Sequence, residues 1–197
     1  MEMIVERLYE RLVELLNQQY QSSLVQDFLS EIPESAIVEK GGIIHKYHFP
    51  RHGFYFDLDS QRDEIQWVLL YFEIAHGWEG FFPDYLPFIG PLPANICFGD
   101  RRDEVRSKLD LTPQLSYREQ RPVKIPDLPE EERAKWLKNL DRGPLVTYHD
   151  TYYIQPHRFH FTFRIADENL VCMSISKDTD EHSNERILKA LLDLNLN

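Results

Sequence analysis

Cysteine is almost missing from this sequence: Cys97 and Cys172 are its whole complement. Two thiols cannot build a disulfide framework, and they match no metal-binding spacing. Their neighbours are apolar (Ile96 and Phe98, Val171 and Met173), which predicts buried thiols in a reducing compartment. Glycine is sparse at 8 residues, and none belongs to a phosphate-cradling loop. No Gly-x-Ser-x-Gly elbow occurs, and no cysteine stands in a nucleophile motif. No apolar run reaches the length of a membrane span. The start, Met1 to Glu6, is acidic and helical in pattern, without the basic and apolar regions of a signal peptide. A cytoplasmic location and no cofactor are expected.

What is abundant is acid and aromatic surface. The net charge of -11 repels phosphate backbones and anionic lipids, so neither nucleic acid nor membrane is an expected partner. The same charge speeds association with a basic protein. Simple solubility accounts for it equally well. With 42% hydrophobic residues, 12 Phe and 10 Tyr, the 197-residue chain is rich enough to bury a core as one domain.

Periodicity gives the elements. Ile4, Leu8, Leu12, Leu15 and Leu16 fall at helical steps over residues 3 to 20. Ser22 or Ser23 opens a second short helix with Leu24, Val25, Phe28 and Leu29 on one side, closed by Pro33. Phe54, Phe56 and Leu58 then alternate with Tyr55 and Asp57, and a polar turn at 59–63 leads into the apolar run Ile65 to Phe72. That is a β-hairpin whose second strand is central in its sheet. Residues 74 to 99, dense in Pro, Gly and rings, form a long connection. A helix follows over Arg101 to Leu109, and residues 113 to 128 read as polar and irregular. Another helix runs from Pro129 to about Leu140, and Leu145 to Ile154 supplies a strand. A second hairpin, Phe159 to Ile175, has the spacing of the first, and Ile187 to Leu192 suggests a closing helix.

The expected fold is therefore α+β: two helix-then-β-hairpin repeats forming an antiparallel sheet packed against helices. Residues 1–73 make the first repeat, 74–99 the connection, 100–177 the second repeat and 178–197 a C-terminal helix. The matching hairpins suggest an internal duplication. Alternating Phe, common in half-buried strands, explains them as well.

Candidate chemistry is thin. His45, His48 and His52 cluster, as do His149, His157 and His160, but neither group has a zinc-site spacing. Most are expected on solvent faces, with His157 and His160 on opposite sides of a strand. The carboxylates Asp57, Asp59, Asp63, Glu64 and Glu73, and Asp100, Asp103 and Glu104, sit where turn and helix-start capping is expected. Binding is read ahead of catalysis. The aromatic connection offers the anchors: Trp78, Glu79, Phe81, Asp84 and Tyr85 form a candidate partner-binding patch, while Phe82 and Phe88 are expected to fold over the sheet.

One stretch carries a resemblance. Gly90-Pro91-Leu92-Pro93, then Phe98-Gly99-Asp100-Arg101-Arg102-Asp103-Glu104-Val105, resembles the pattern GPLPxGLxFGxxRxEVxxxLGxP of small uncharacterised bacterial proteins. Leu15-Leu16 with Val25 to Leu29, and Tyr148-His149-Asp150 onward, resemble their first and last segments. The chain departs from the pattern at Asn95-Ile96-Cys97 and at Leu109-Asp110-Leu111-Thr112-Pro113. Such proteins are similar to immunity proteins of bacterial polymorphic toxin systems, with repeats resembling those of the β-lactamase inhibitory protein. The resemblance implies a protein that neutralises a toxin, such as a basic toxin domain, by direct contact, and it assigns no site residue. The alternative is a small enzyme or metal-binding protein using the histidines and carboxylates near the hairpins.

Overall fold

The computed structural model describes residues 8–72, 86–120, 146–154 and 156–177. Three α-helices lie in these stretches: α1 (Leu8–Glu14), α2 (Ser23–Glu31) and α3 (Arg102–Leu109). Eight strands accompany them: β1 (Ile37–Lys40), β2 (Ile44–Phe49), β3 (Phe54–Asp59), β4 (Glu64–Tyr71), β5 (Leu115–Gln120), β6 (Val146–Ile154), β7 (His157–Arg164) and β8 (Leu170–Lys177). All eight belong to one antiparallel sheet, ordered β1-β2-β3-β4-β8-β7-β6-β5.

This overturns the helix-then-hairpin architecture. Each half of the sheet is a four-stranded meander, and the sheet dominates the described structure. The strands that periodicity missed are β1, β2 and β5. Their sequences, IVEK, IHKYHF and LSYREQ, mix charge with few apolar residues. Strands toward a sheet's rim bury less of themselves, so alternation is weak there. The two hairpins, by contrast, stand where the alternating Phe placed them. The expected helices near 129–140 and in the last twenty residues lie outside the described residues.

The two halves match in detail. Both hairpins carry a bulge in their register, between Asp57 and Leu58 and between Thr162 and Phe163. Both turns use a non-glycine residue at positive φ, Asp63 at 56° and Glu168 at 58°. In each half the chain entering a helix clips onto the turn. Tyr20 N donates to Asp63 O at 2.8 Å and Ile65 N to Gln18 O at 3.0 Å; Arg102 N donates to Glu168 O at 3.0 Å and Leu170 N to Asp100 O at 2.8 Å. What recurs is a meander with a helix entry clipped to its hairpin turn.

The core lies between one face of the sheet and the helices. Phe54, Phe56, Val68, Leu70, Met173, Ile175, Phe159, Phe161 and Phe163 meet Leu12, Leu15, Val25, Phe28 and Val105. Ser22 caps α2, its Oγ accepting from Val25 N at 3.4 Å, and α2 turns Val25 and Phe28 inward. Of the long connection, Phe88, Leu92 and Ile96 are buried against this core.

Gly53 makes that docking possible. Its φ is +70°, and a Cβ there would lie 2.0 Å from Phe88 N. The approach lets Phe88 N donate to Tyr71 O at 2.9 Å. Gly53→Ala combines left-handed strain with overlap against backbone, and is expected to cost roughly 2–4 kcal/mol. Urea unfolding checks this; a loss within measurement error would mean that the Phe88 segment yields freely.

Candidate functional site

The proposed anchors Trp78, Glu79, Phe81, Asp84 and Tyr85 lie outside the described residues, as does Glu73. The other sequence candidates can be placed. Asp59 caps its turn, accepting from Gln61 N at 2.9 Å and Arg62 N at 3.1 Å. Asp100 accepts from Cys97 N at 2.7 Å and Lys108 Nζ at 2.6 Å, and Glu104 accepts from Arg101 N at 2.7 Å. These are the capping carboxylates that the sequence suggests. Among the described residues, no three His, Cys, Asp or Glu side chains converge as a metal site would require.

The strongest polar cluster was not selected from the sequence. Asp150, on the core face of β6, is 0% exposed. It accepts from Arg102 Nε (3.1 Å) and Nη2 (2.7 Å), Arg106 Nε (2.8 Å) and Nη2 (3.0 Å), and Ser116 Oγ (2.8 Å). Burial alone would raise this carboxyl, but the two guanidinium groups and the hydroxyl outweigh it and hold it at about 2. The cluster binds α3 to β5 and β6, and every strong acceptor site is filled, so its role is structural. The pair Arg102 and Arg106, one turn apart on α3, was the available signal. Asp150→Ala strands two arginines and is expected to cost about 3–5 kcal/mol, read by urea unfolding.

The histidines divide by face. His157 lies on the core side of β7 and His160 on the other, as strand alternation requires. Expectation of solvent faces fails elsewhere: His48 and His149 are buried. On the face opposite the described helices, His149 Nδ1 sits 2.9 Å from His160 Nε2. Thr147 Oγ1 is 2.7 Å from His149 Nε2, and Thr151 Oγ1 is 2.9 Å from His160 Nδ1. Tyr117 stacks on His149 with ring centroids 4.7 Å apart. Every ring nitrogen is used, so neither imidazole is free to act on a ligand without breaking the chain.

Burial, then the neighbouring His149 and Arg158, push the His160 imidazole down to about 3 from 6.5. Between those values the unfolded chain binds more protons than the folded one, so stability falls as pH falls. The loss from His160 reaches about 2 kcal/mol at pH 5. Asp150, lowered from 3.8 to about 2, adds a further loss over that acid range. His160→Gln is expected to flatten the step between pH 6.5 and pH 4 in urea-unfolding series while sparing the lower one. An unchanged profile would show that His160 is not held neutral.

The open ground lies at the β1 end. β1 is an edge strand with all four residues exposed, Ile37 at 46% and Val38 at 40%. Ile43 and Ile44, just beyond, are exposed too. Between β1, β2 and the end of α2 runs a groove of about 490 Å³, lined by Tyr20, Ile32, Glu34, Val38, Tyr47 and Phe49 among others. Tyr20 and Tyr47 lie with ring centroids 4.9 Å apart, and Tyr47 stacks on Phe56 at 5.1 Å. Glu34, one of the lining residues, is held by its neighbours. Its carboxylate accepts from Arg51 N at 3.2 Å and lies 2.9 Å from His52 Nδ1. Sequence reasoning missed this site because β1 was not read as a strand.

No protein-family model matches the chain, and no curated protein matches it. Two solved structures are similar at low identity. One is an extracellular protein containing an SCP domain from Bacillus anthracis, 9% identical, with a TM-score of 0.47. The alignment covers 85% of this chain and 45% of that one, so this chain spans under half the length of that protein. The other is a DUF4309 family protein from Bacillus subtilis, 11% identical, with a TM-score of 0.40, covering 89% of this chain and 97% of that one. Among the described residues, no helix is long and apolar enough to cross a membrane.

Proposed function

We propose that this chain is a protein-binding protein that receives its partner at the β1 edge. The observation that carries the reading is that, among the described residues, no strand pairs with the outer side of β1. Natural edge strands are blunted by short length, charge, proline or bulges, because a bare edge recruits other strands. β1 is short and carries Glu39 and Lys40 at one end, but it has no proline and no register shift against β2, and it presents Ile37 and Val38 on its two faces. A partner segment added there would gain main-chain hydrogen bonds from the edge and side-chain contacts from the adjoining groove.

The motifs resembling immunity proteins extend the proposal: the partner is a toxin domain, neutralised by direct contact. The charge of -11 favours a basic one, by raising the encounter rate and disfavouring acidic competitors. The histidine and carboxylate chemistry of an enzyme reading has less support, since the Asp150 cluster and the His149–His160 chain are internally saturated; Asp57 alone of the carboxylates discussed keeps a buried Oδ1 without a hydrogen-bond partner among the described residues.

The test is co-expression with a toxin candidate encoded beside this chain. The parent is expected to restore growth and to co-purify with the toxin. The double variant Ile37→Lys, Val38→Glu should lose at least about a hundredfold in affinity. Its stability should stay within about 1 kcal/mol of the parent, because both positions are exposed. Full protection by the double variant would remove β1 from the interface.

A further inference from the structure

The groove beside β1 has a chemistry of its own, and from it we infer the class of side chain that the partner inserts. The groove takes the cationic head of an arginine or lysine, carried on an extended segment that pairs with the outer edge of β1. This rests on the proposal that β1 is the docking edge and names what the site recognises there.

Register gives the geometry. Val38 pairs with Tyr47, so both point to the core-side face, where the groove lies. Directly opposed residues of neighbouring strands share a face. The partner residue placed across from Val38 therefore points toward the groove, while its neighbours point to the other face beside Ile37 and Glu39.

The lining selects the charge. Tyr20 and Tyr47, both half-buried, supply aromatic rings that attract cations, while Phe49 is buried. Ile32 and Val38 offer apolar surface along which a long stem can lie, with its head at the rim. Glu34 also lines the groove, its carboxylate held in place by Arg51 N and His52 and its side chain 11% exposed. An apolar occupant would cover what remains exposed of this carboxylate and return no donor, which is unfavourable for a charged acceptor. An anionic occupant would meet Glu34 and an acidic molecule of net charge -11. A guanidinium or ammonium group meets none of these penalties and forms charge-assisted hydrogen bonds.

The experiment uses the full chain and two blocked seven-residue peptides of alternating valine and threonine. One has a central arginine and the other norleucine at that position. Binding is followed by backbone amide shifts in ¹H–¹⁵N spectra. The arginine peptide is expected to shift amides of residues 34–40 and 47–49 and to bind at least about tenfold more tightly than the norleucine peptide. Glu34→Gln should erase that preference. Glu31→Gln, which removes the same unit of charge from a glutamate paired with Arg11 outside the groove lining, should leave it intact. Thermal unfolding of both variants verifies that they fold. Equal shifts of the β1 amides by both peptides would overturn the cation assignment and leave the docking edge standing. An equal loss in both variants would also overturn it, reducing the effect to overall charge. Absence of β1 shifts with either peptide would sink the groove and the edge together.

Discussion

The pairing of β4 with β8 is the interaction on which the described structure hangs. Trp67 to Tyr71 run against Ser176 to Cys172, joining the two meanders into one eight-stranded sheet. Both strands are heavily buried: Val68, Leu70 and Tyr71 on one, Met173, Ser174, Ile175 and Ser176 on the other. Backbone groups so deep have no water to turn to, so an unmade ladder here would leave many unsatisfied donors and acceptors. The apolar pairs Val68–Ile175 and Leu70–Met173 face the helices at this seam. The core is thus shared between halves, and neither meander completes its own.

Around that seam the halves are alike in frame and different in polar detail. Matching bulges and matching positive-φ turn residues set the same twist in both hairpins. The helix of the second half is held by an ion-pair cluster at Asp150, whereas α1 and α2 contribute Leu8, Leu12, Val25 and Phe28 to the core. Asp150 gains its stability from completeness: a buried carboxylate with fewer than its five donor contacts would be a liability. The opposite face of the sheet differs in the same way, with a cross-strand row of Lys46, Asp57 and Trp67 in the first half. A threonine–histidine chain occupies the second. Burial raises Asp57 to about 6, so that face holds a carboxyl poised near neutrality as well as the depressed imidazole of His160.

The proposed binding lies at an edge beside α2 and β1. Closing β1 against β2 completes one side of the strand and, among the described residues, nothing pairs with the other. The turn from α2 into β1 opens the groove beside it. Docking at such a place requires little rearrangement, because edge and groove are preformed, and preorganisation lowers the cost of association. The acidic balance of the whole chain then acts at longer range, on encounter and selectivity more than on the contact itself.

The sequence by itself determined the two hairpins, the N-cap of α2, the span of α3, the turn and helix-start carboxylates Asp59, Asp100 and Glu104, and the buried fate of Phe88. Each is written in local periodicity or local hydrogen bonding, within a few residues of the chain. The tertiary structure alone decided the rest. Strands β1, β2 and β5 exist because a neighbour pairs with them, and their mixed sequences do not announce it. Asp150 meets Arg102 and Arg106 across more than forty residues, and His149 meets His160 through register, so neither contact has a local pattern. The groove at β1 is made by the end of a helix and two strands together. Long-range pairing is set by which surfaces bury one another, and that depends on the whole fold.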